Sequence, residues 1–311
     1  MSALRWIVRM SCVLAVAVTG QAARGAMALG ACGAPATRVH AIQGAARSSP
    51  LIGEEHVVEA VVVGVFPGLG GFFVQEEDAD ADGDPLTSEG LFVFAGGHGA
   101  GLRAGDRARV RGRVAEFFGL TELSAVSGVR MCPPRGEGSS VSVQLPLTDP
   151  AEWERWEGMR VRVGPDLVAT GLRNLGRFGE VELAAGERLW QPTHREAPGA
   201  PALALAARNE RHRILLDDGS HGIRPEPTPY LDRADGGTLR VGDTVAELGG
   251  VLDFAFGRFR IQPTGPVRFR RGEPRPEMPP HVEGTLRLVA WNVANHMNGD
   301  GRGGGFPTRG P

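Results

Sequence analysis

Asp78-Ala-Asp80-Ala-Asp82-Gly83-Asp84, followed by Glu89, sets five carboxylates in one short stretch. The spacing matches D-x-[DN]-x-[DN]-G-x5-E. In that pattern alternate carboxylates wrap a Ca²⁺ ion, which takes about 6–8 oxygen ligands, and the glycine permits the sharp turn. The flanks, Phe72 to Gln75 and Leu91 to Phe94, read as strands rather than helices. Pro85 also sits where the small pairing strand of a helix–loop–helix site forms. The same string equally describes a solvated acidic hairpin loop.

A second set is basic. Arg107, Arg109, Arg111 and Arg113 alternate with Ala108, Val110, Gly112 and Val114. In a strand, all four guanidiniums project from one face. Phe72, Phe73, Phe92, Phe94, Phe117 and Phe118 fall in neighbouring strand-like runs. Arginine for phosphate and aromatic rings for stacking is the recipe by which a small β-barrel holds a single-stranded nucleic acid. Alternation also describes any half-solvated strand. The chain contains no lysine, so all 34 of its basic side chains are arginine.

A third set closes the chain. Leu286, Leu288, Val289, Ala290 and Trp291 form an apolar run that ends on Asn292, and a glycine-rich stretch around Gly303 to Gly305 follows. This reads as a strand that delivers a carboxamide to a site, beside backbone able to approach phosphate closely.

The elements that must position these groups are mainly strands. Val57 to Phe66, Gly71 to Gln75, Leu91 to Phe94, Arg107 to Val114 and Val161 to Val163 are short period-two or apolar runs separated by Gly and Pro clusters. The clearest helix is short, Ala151 to Trp156, with Asp149 as N-cap and Pro150 in its first turn. Leu102-Arg-Ala-Gly-Asp106 precedes Gly112, Val114, Glu116 and Phe117. Leu239-Arg-Val-Gly-Asp243 precedes Gly249, Val251, Asp253 and Phe254 at the same spacing. The echo implies two related domains. The expected fold is therefore mainly β: tandem OB-like five-stranded barrels at 29–140 and 145–270, with a sandwich as the alternative. A Pro-rich linker follows at 271–283, and a further strand opens the stretch 284–311.

Residues 1–28 read as a signal peptide, with Arg5 and Arg9 before a short apolar stretch and Ala26-Met-Ala28 as a small-x-small cleavage site. The expected location is secreted, extracellular or periplasmic. A lipobox-like Leu29-Gly-Ala-Cys32 leaves lipid attachment at Cys32 as the alternative. After export Cys32 and Cys132 remain, and an oxidising compartment favours a disulfide between them. No uncharged apolar run reaches the roughly 18 residues of a membrane span. The net charge of −2 gives no general attraction to polyanions, so any nucleic-acid surface must be local.

Leu286 to Asn295 together with Gly303 to Gly310 resembles the opening strand and loop of the endonuclease/exonuclease/phosphatase domain, and more narrowly that of secreted bacterial nucleases of the ExeM/NucH type. Ala41 to Gly44, Gly71 to Glu76, Thr87 to Val93, Glu157 to Met159, Gln191 to Thr193, Ile214 to Ser220 and Leu239 to Asp243 are similar to stretches of that family, in its order. The resemblance implies an N-terminal OB-fold region, binding DNA or RNA, ahead of a nuclease domain that uses Mg²⁺ or Mn²⁺, with 284–311 holding the first strand of an incomplete α/β sandwich. Asn292 matches the asparagine that helps arrange the family's metal and attacking water. The glutamate ligand, the Asp-x-Asn pair and the Ser-Asp-His segment have no match in residues 1–311. Beside this reading stands a non-catalytic secreted binding module with a calcium loop.

Phosphodiester hydrolysis by that route needs a divalent ion and a positioned base. The purified 311-residue polypeptide is therefore expected to leave DNA and RNA uncut in Mg²⁺ or Mn²⁺. Turnover that both EDTA and Asn292→Ala abolish would overturn this expectation.

Overall fold

In a computed structural model, the residues described are 28–272 apart from 135, 165 and 232–236, together with 278, 281–286 and 288. The chain divides into two compact units, Met1–Glu273 and Pro274–Pro311. Described residues of the second unit form no strand. Asn292 and the glycine-rich stretch lie outside the described residues, as does nearly all of the signal-peptide reading.

The first unit is mainly β. A short helix α1 (Val39–Gln43) precedes strands β1 (Glu55–Phe66), β2 (Gly71–Gln75), β3 (Gly90–Phe94), β4 (Arg107–Phe117) and β5 (Leu120–Cys132). They close into a barrel in the order β1-β2-β3-β5-β4. The pairs are antiparallel except β3 and β5, which run parallel. Apolar side chains such as Val58, Ala60, Val62, Phe72, Val74 and Leu123 fill its interior.

Eight further strands form one curled sheet. They are β6 (Val141–Gln144), β7 (Arg160–Gly164), β8 (Leu167–Gly171), β9 (Val181–Ala185), β10 (Arg213–Leu216), β11 (Thr244–Val245), β12 (Leu248–Ala255) and β13 (Arg258–Pro263). Their order is β11-β8-β9-β10-β13-β12-β7-β6. Here β10 and β13 run parallel in the place of β3 and β5, and β6 adds a second parallel pair with β7. The pair β7 and β8 does the work of an interrupted β1: β8 pairs with β9, and β7 with β12. The order of the first barrel is thus repeated. Two short helices, α2 (Leu175–Phe178) and α3 (Ala200–His212), fill connections in the second half. The turn expected at Asp149 forms as a 3-10 helix, Pro150–Trp156, under a reciprocal Asp149–Glu152 cap.

The repeat seen in the sequence is a repeated hydrogen-bond pattern. The Arg103 amide donates to the Asp106 carboxylate at 2.7 Å, and the Arg240 amide to the Asp243 carboxylate at 2.8 Å. The Gly105 amide donates to Val62 and the Gly242 amide to Ala169, each at 2.8 Å. Gly105 and Gly242 have φ of 95° and 100°, which suits only glycine. Each turn thus hands the chain to the fourth strand of its barrel.

The two barrels meet along a packed seam. Val63, Phe66, Phe73, Phe92 and Leu120 of the first form one apolar cluster with Val251 and Phe254 of the second. The backbones of Gly90 and Gly158 lie against one another, leaving no room for a Cβ at Gly90. Ser88 Oγ donates to the Glu157 carbonyl at 2.6 Å, and the Thr121 amide donates to the Glu157 carboxyl at 3.0 Å. The Arg160 amide donates to Gln75 Oε1 at 2.8 Å. No helix among the described residues is long and apolar enough to cross a membrane.

A methyl group at Gly90 must push backbone against backbone. Gly90→Ala is expected to destabilise the protein by about 2–3 kcal/mol in urea unfolding. An unchanged midpoint would mean that the seam yields freely.

Candidate functional site

Strands β4 and β5 join through Phe118-Gly119, and β12 and β13 through Phe256-Gly257. Both are two-residue turns with both φ values positive: 51° and 95° in the first, 52° and 74° in the second. That is the type I′ geometry, which Asn-Gly or Gly-Gly adopts with little strain. A phenylalanine held there costs about 1–2 kcal/mol. Both rings nevertheless stand in solvent, Phe118 82% and Phe256 76% exposed.

Because the barrels repeat one topology, the two tips converge at one end of the seam. They flank a cleft of about 600 Å³, within the range of small-ligand pockets. Phe92, Phe94, Phe117 and Phe254 supply most of the remaining wall. Phe117 and Phe118 meet edge to face at 4.9 Å, and His221 meets Phe256 the same way at 5.9 Å. Phe94, Phe117, Phe118 and Phe256 all expose their rings, a contiguous apolar surface of the kind that marks a binding site.

The polar groups in this cleft are few. Glu122 is 6% exposed and lies beside Phe92 in the β3–β5 pairing. It makes no hydrogen bond or ion pair among the described residues, and burial together with the Glu116 charge pushes its carboxyl up to about 7. Asp253 accepts from Gln262 at 2.9 Å. Burial raises its carboxyl, against the pull of Gln262 and Arg260. Arg260 braces the second tip by donating to the Ala255 carbonyl at 2.7 Å and to Asp217 and Glu180 at 3.0 and 2.9 Å. Beyond His221, the Arg224 amide donates to the Arg177 carbonyl at 2.7 Å. The side chains of Arg177 and Arg224 are exposed and enter no ion pair among the described residues.

The arginine strip is placed differently from the expectation. The four side chains do share one face of β4, but that face is covered. Glu59 lies opposite Arg109 on β1, and Glu55 opposite Arg113. Arg109, 2% exposed, donates to Glu59 and to the carbonyls of Leu29, Ala34 and Pro35. Arg107 is buried between Glu59 and Glu77. Burial raises the Glu59 carboxyl, but hydrogen bonds from Arg109 and Gly33 and the two arginine charges outweigh it and hold it low. Arg111 bonds Ser127 at 2.6 Å and pairs with Glu55 at 3.2 Å. Only Arg113 is exposed. Arg109 therefore clamps the N-terminal segment, Arg107 and Arg111 are paired within the barrel, and the strip is not a free phosphate-binding surface. The same segment is tied down by the disulfide between Cys32 and Cys132, whose Cα atoms are 5.7 Å apart.

The acidic string does not gather round one point either. Asp78 accepts from Ser139, Asp80 pairs with Arg38, Asp82 accepts from Asp84 and Thr87, and Asp84 accepts from Leu86. The carboxylates cap their own loop and its neighbours. What the fold brings together is Glu89 with Glu76 and His40, ligand atoms within 4.8 Å of one another. His40 Nδ1 lies 2.6 Å from Glu76, whose other oxygen accepts from the Val39 amide. Burial first, then the neighbouring Glu76, push Glu89 up to about 9. The trio thus holds a proton and pins α1 to the barrel. A divalent ion would have to displace that proton.

Sequence reading missed Glu122, His221, Asp253 and Phe256 as one site. The available signal was the Phe-Gly pair repeated between two alternating runs, where Asn-Gly is the usual choice. Residues 133–270, which span the second sheet, match the model of a domain of unknown function, DUF8508. No curated protein matches the chain.

The carboxyls of Glu122, Glu89, Asp218, Glu154, Glu157 and Asp253 are all raised, to about 7, 9 and 6 for the first three. Each binds its proton more tightly folded than unfolded. Its stabilising effect is full below the unfolded carboxyl range and is lost as pH rises through the folded value. Glu59 and Asp82 are lowered and act oppositely, losing their effect as pH falls below the unfolded range. The melting temperature is therefore expected to be higher at pH 5.5 than at pH 8.5, with Glu122→Gln reducing the difference. A profile that rises toward pH 8.5 would contradict these shifts.

Proposed function

We propose that this chain is the strand-holding region of a secreted, metal-dependent nuclease of the ExeM/NucH type, and that it grips single-stranded DNA or RNA at the cleft between its barrels. One observation carries the binding half: two equivalent hairpin tips hold Phe118 and Phe256 in strained turns and in solvent, over one aromatic cleft. Every base has a π face, so rings at the surface bind strands with little regard to sequence, worth about 1–3 kcal/mol per stacked base. Arg177 and Arg224, exposed and joined by the Arg224 amide beyond His221, are the candidates for the phosphate contacts, the part first given to Arg107, Arg109, Arg111 and Arg113. Duplex DNA keeps its bases stacked on one another and offers these rings nothing.

The hydrolytic half rests on the resemblance of residues 284–311, with Asn292 as the one matching catalytic position. Mg²⁺ or Mn²⁺ would polarise the scissile phosphate and supply the attacking hydroxide. Secretion is supported by the reading of residues 1–28 and agrees with the Cys32–Cys132 disulfide.

Fluorescence anisotropy of labelled oligonucleotides tests the binding reading. The protein should bind single strands, RNA and DNA alike, in preference to a duplex of equal length. Phe118→Ser combined with Phe256→Ser should weaken binding at least tenfold without lowering the melting temperature. Arg177→Ser with Arg224→Ser should flatten the salt dependence. Unchanged affinity in the double phenylalanine variant would refute the reading.

A further inference from the structure

The strand-binding reading leaves Glu122 without a task, and the following inference rests on that reading. A carboxyl group that is 6% exposed, without a hydrogen-bond partner among the described residues and walled by phenylalanines is an unfavourable feature in a folded protein. The fold does not need it there. Its neighbour Asp253 is served by Gln262, and the buried Glu157 takes the Thr121 amide. Glu122 faces the cleft with no hydrogen-bond partner for its carboxyl among the described residues. An ionised carboxylate accepts and cannot donate, so it calls for a ligand that brings N–H groups into an aromatic slot.

We propose that the cleft is a base-recognition pocket, taking from the bound strand a nucleobase that carries an exocyclic amino group, its ring against Phe118 and Phe256 and its amino group donating to Glu122. Cytosine, adenine and guanine each present such a group. Thymine and uracil present two carbonyl oxygens flanking one N–H, and those oxygens face the carboxylate with like partial charge. Stacking holds any base at the mouth, and Glu122 selects among them inside. Arg177 and Arg224 are exposed and are not among the residues that wall the slot, which leaves them for the phosphates of a strand with one base turned inward.

Oligo(dC) and oligo(dT) of equal length isolate the feature, since the two pyrimidines are of similar size and differ at the group Glu122 would meet. At pH 8, where the carboxyl is ionised, oligo(dC) should bind about tenfold more tightly. Glu122→Met keeps the side-chain length, removes the acceptors and takes away only an unpartnered buried acid. Its melting temperature should not fall, and it should bind the two oligomers about equally, the preference for oligo(dC) being lost. Equal affinity of the native protein for both oligomers, or a Met variant that keeps the preference, overturns the pocket while leaving strand binding intact. Failure to bind either oligomer overturns the strand-binding reading and this inference with it.

Discussion

The contact on which the remaining structure depends is the seam between the barrels, where two glycine backbones touch and a buried glutamate closes the join. Gly90 belongs to β3 of the first barrel, and Gly158 leads into β7 of the second. Neither barrel offers the other a broad apolar face. They meet instead through close backbone approach, a compact cluster around Phe73 and Val251, and polar bonds from Ser88, Thr121 and Gln75. Glu157 is 1% exposed, and burial, followed by the nearby Glu154 charge, raises its carboxyl strongly. That shift favours the neutral form at the seam, which lessens the penalty of a buried charge. Because each barrel repeats the same strand order, a fixed seam also fixes the relation between their hairpin tips. The cleft is a geometric consequence of that repetition.

Elsewhere the fold buries charge in a different manner. Arg109 and Arg107 share Glu59, with Glu77 and three backbone carbonyls completing the set. The guanidinium is well matched to this role, since its five donors spread across several acceptors in a plane. Arg260 repeats the arrangement in the second half with Asp217, Glu180 and the Ala255 carbonyl. A protein without lysine has arginine for every cationic task, inside as well as outside. Alternation along β4 therefore says which face the four guanidiniums share, but nothing about what covers that face.

That limit explains what could be read from the sequence. Turn and strand patterns showed two barrels, because Gly-Asp turns and period-two runs are local properties. The matched bonds at Asp106 and Asp243 show why the echo was so exact in spacing: each position serves the same exit into the fourth strand. The ligand sets were misplaced because burial is not local. Glu55 and Glu59 sit four residues apart in another strand, and only register puts them opposite Arg113 and Arg109. The acidic string likewise looked like a shell of ligands. Folding gives its carboxylates separate donors in Ser139, Arg38 and Thr87. Glu122 and Phe256 lie more than a hundred residues apart, so no motif could join them.

The seam and the cleft together separate what the fold requires from what it tolerates. In much of the fold, local preference and global packing agree: glycine takes the positive φ of the repeated Gly-Asp turns, buried arginines meet carboxylates, and apolar side chains fill the interiors. Three departures gather at one place. Phe118 and Phe256 occupy turn positions better suited to Asn or Gly, their rings stand in solvent, and Glu122 is buried without a partner. Each departure is unfavourable for folding by itself, and the ring contacts of Phe118 with Phe117 and of Phe256 with His221 and Arg260 leave both rings largely in solvent. Strain and unmet polarity that cluster where a cavity opens are the physical mark of a site shaped by what it binds. The duplicated topology supplies a reason for the clustering. A barrel built once presents a single ringed tip, whereas a barrel built twice and joined at a rigid seam presents two, facing a common space with an acceptor at its floor.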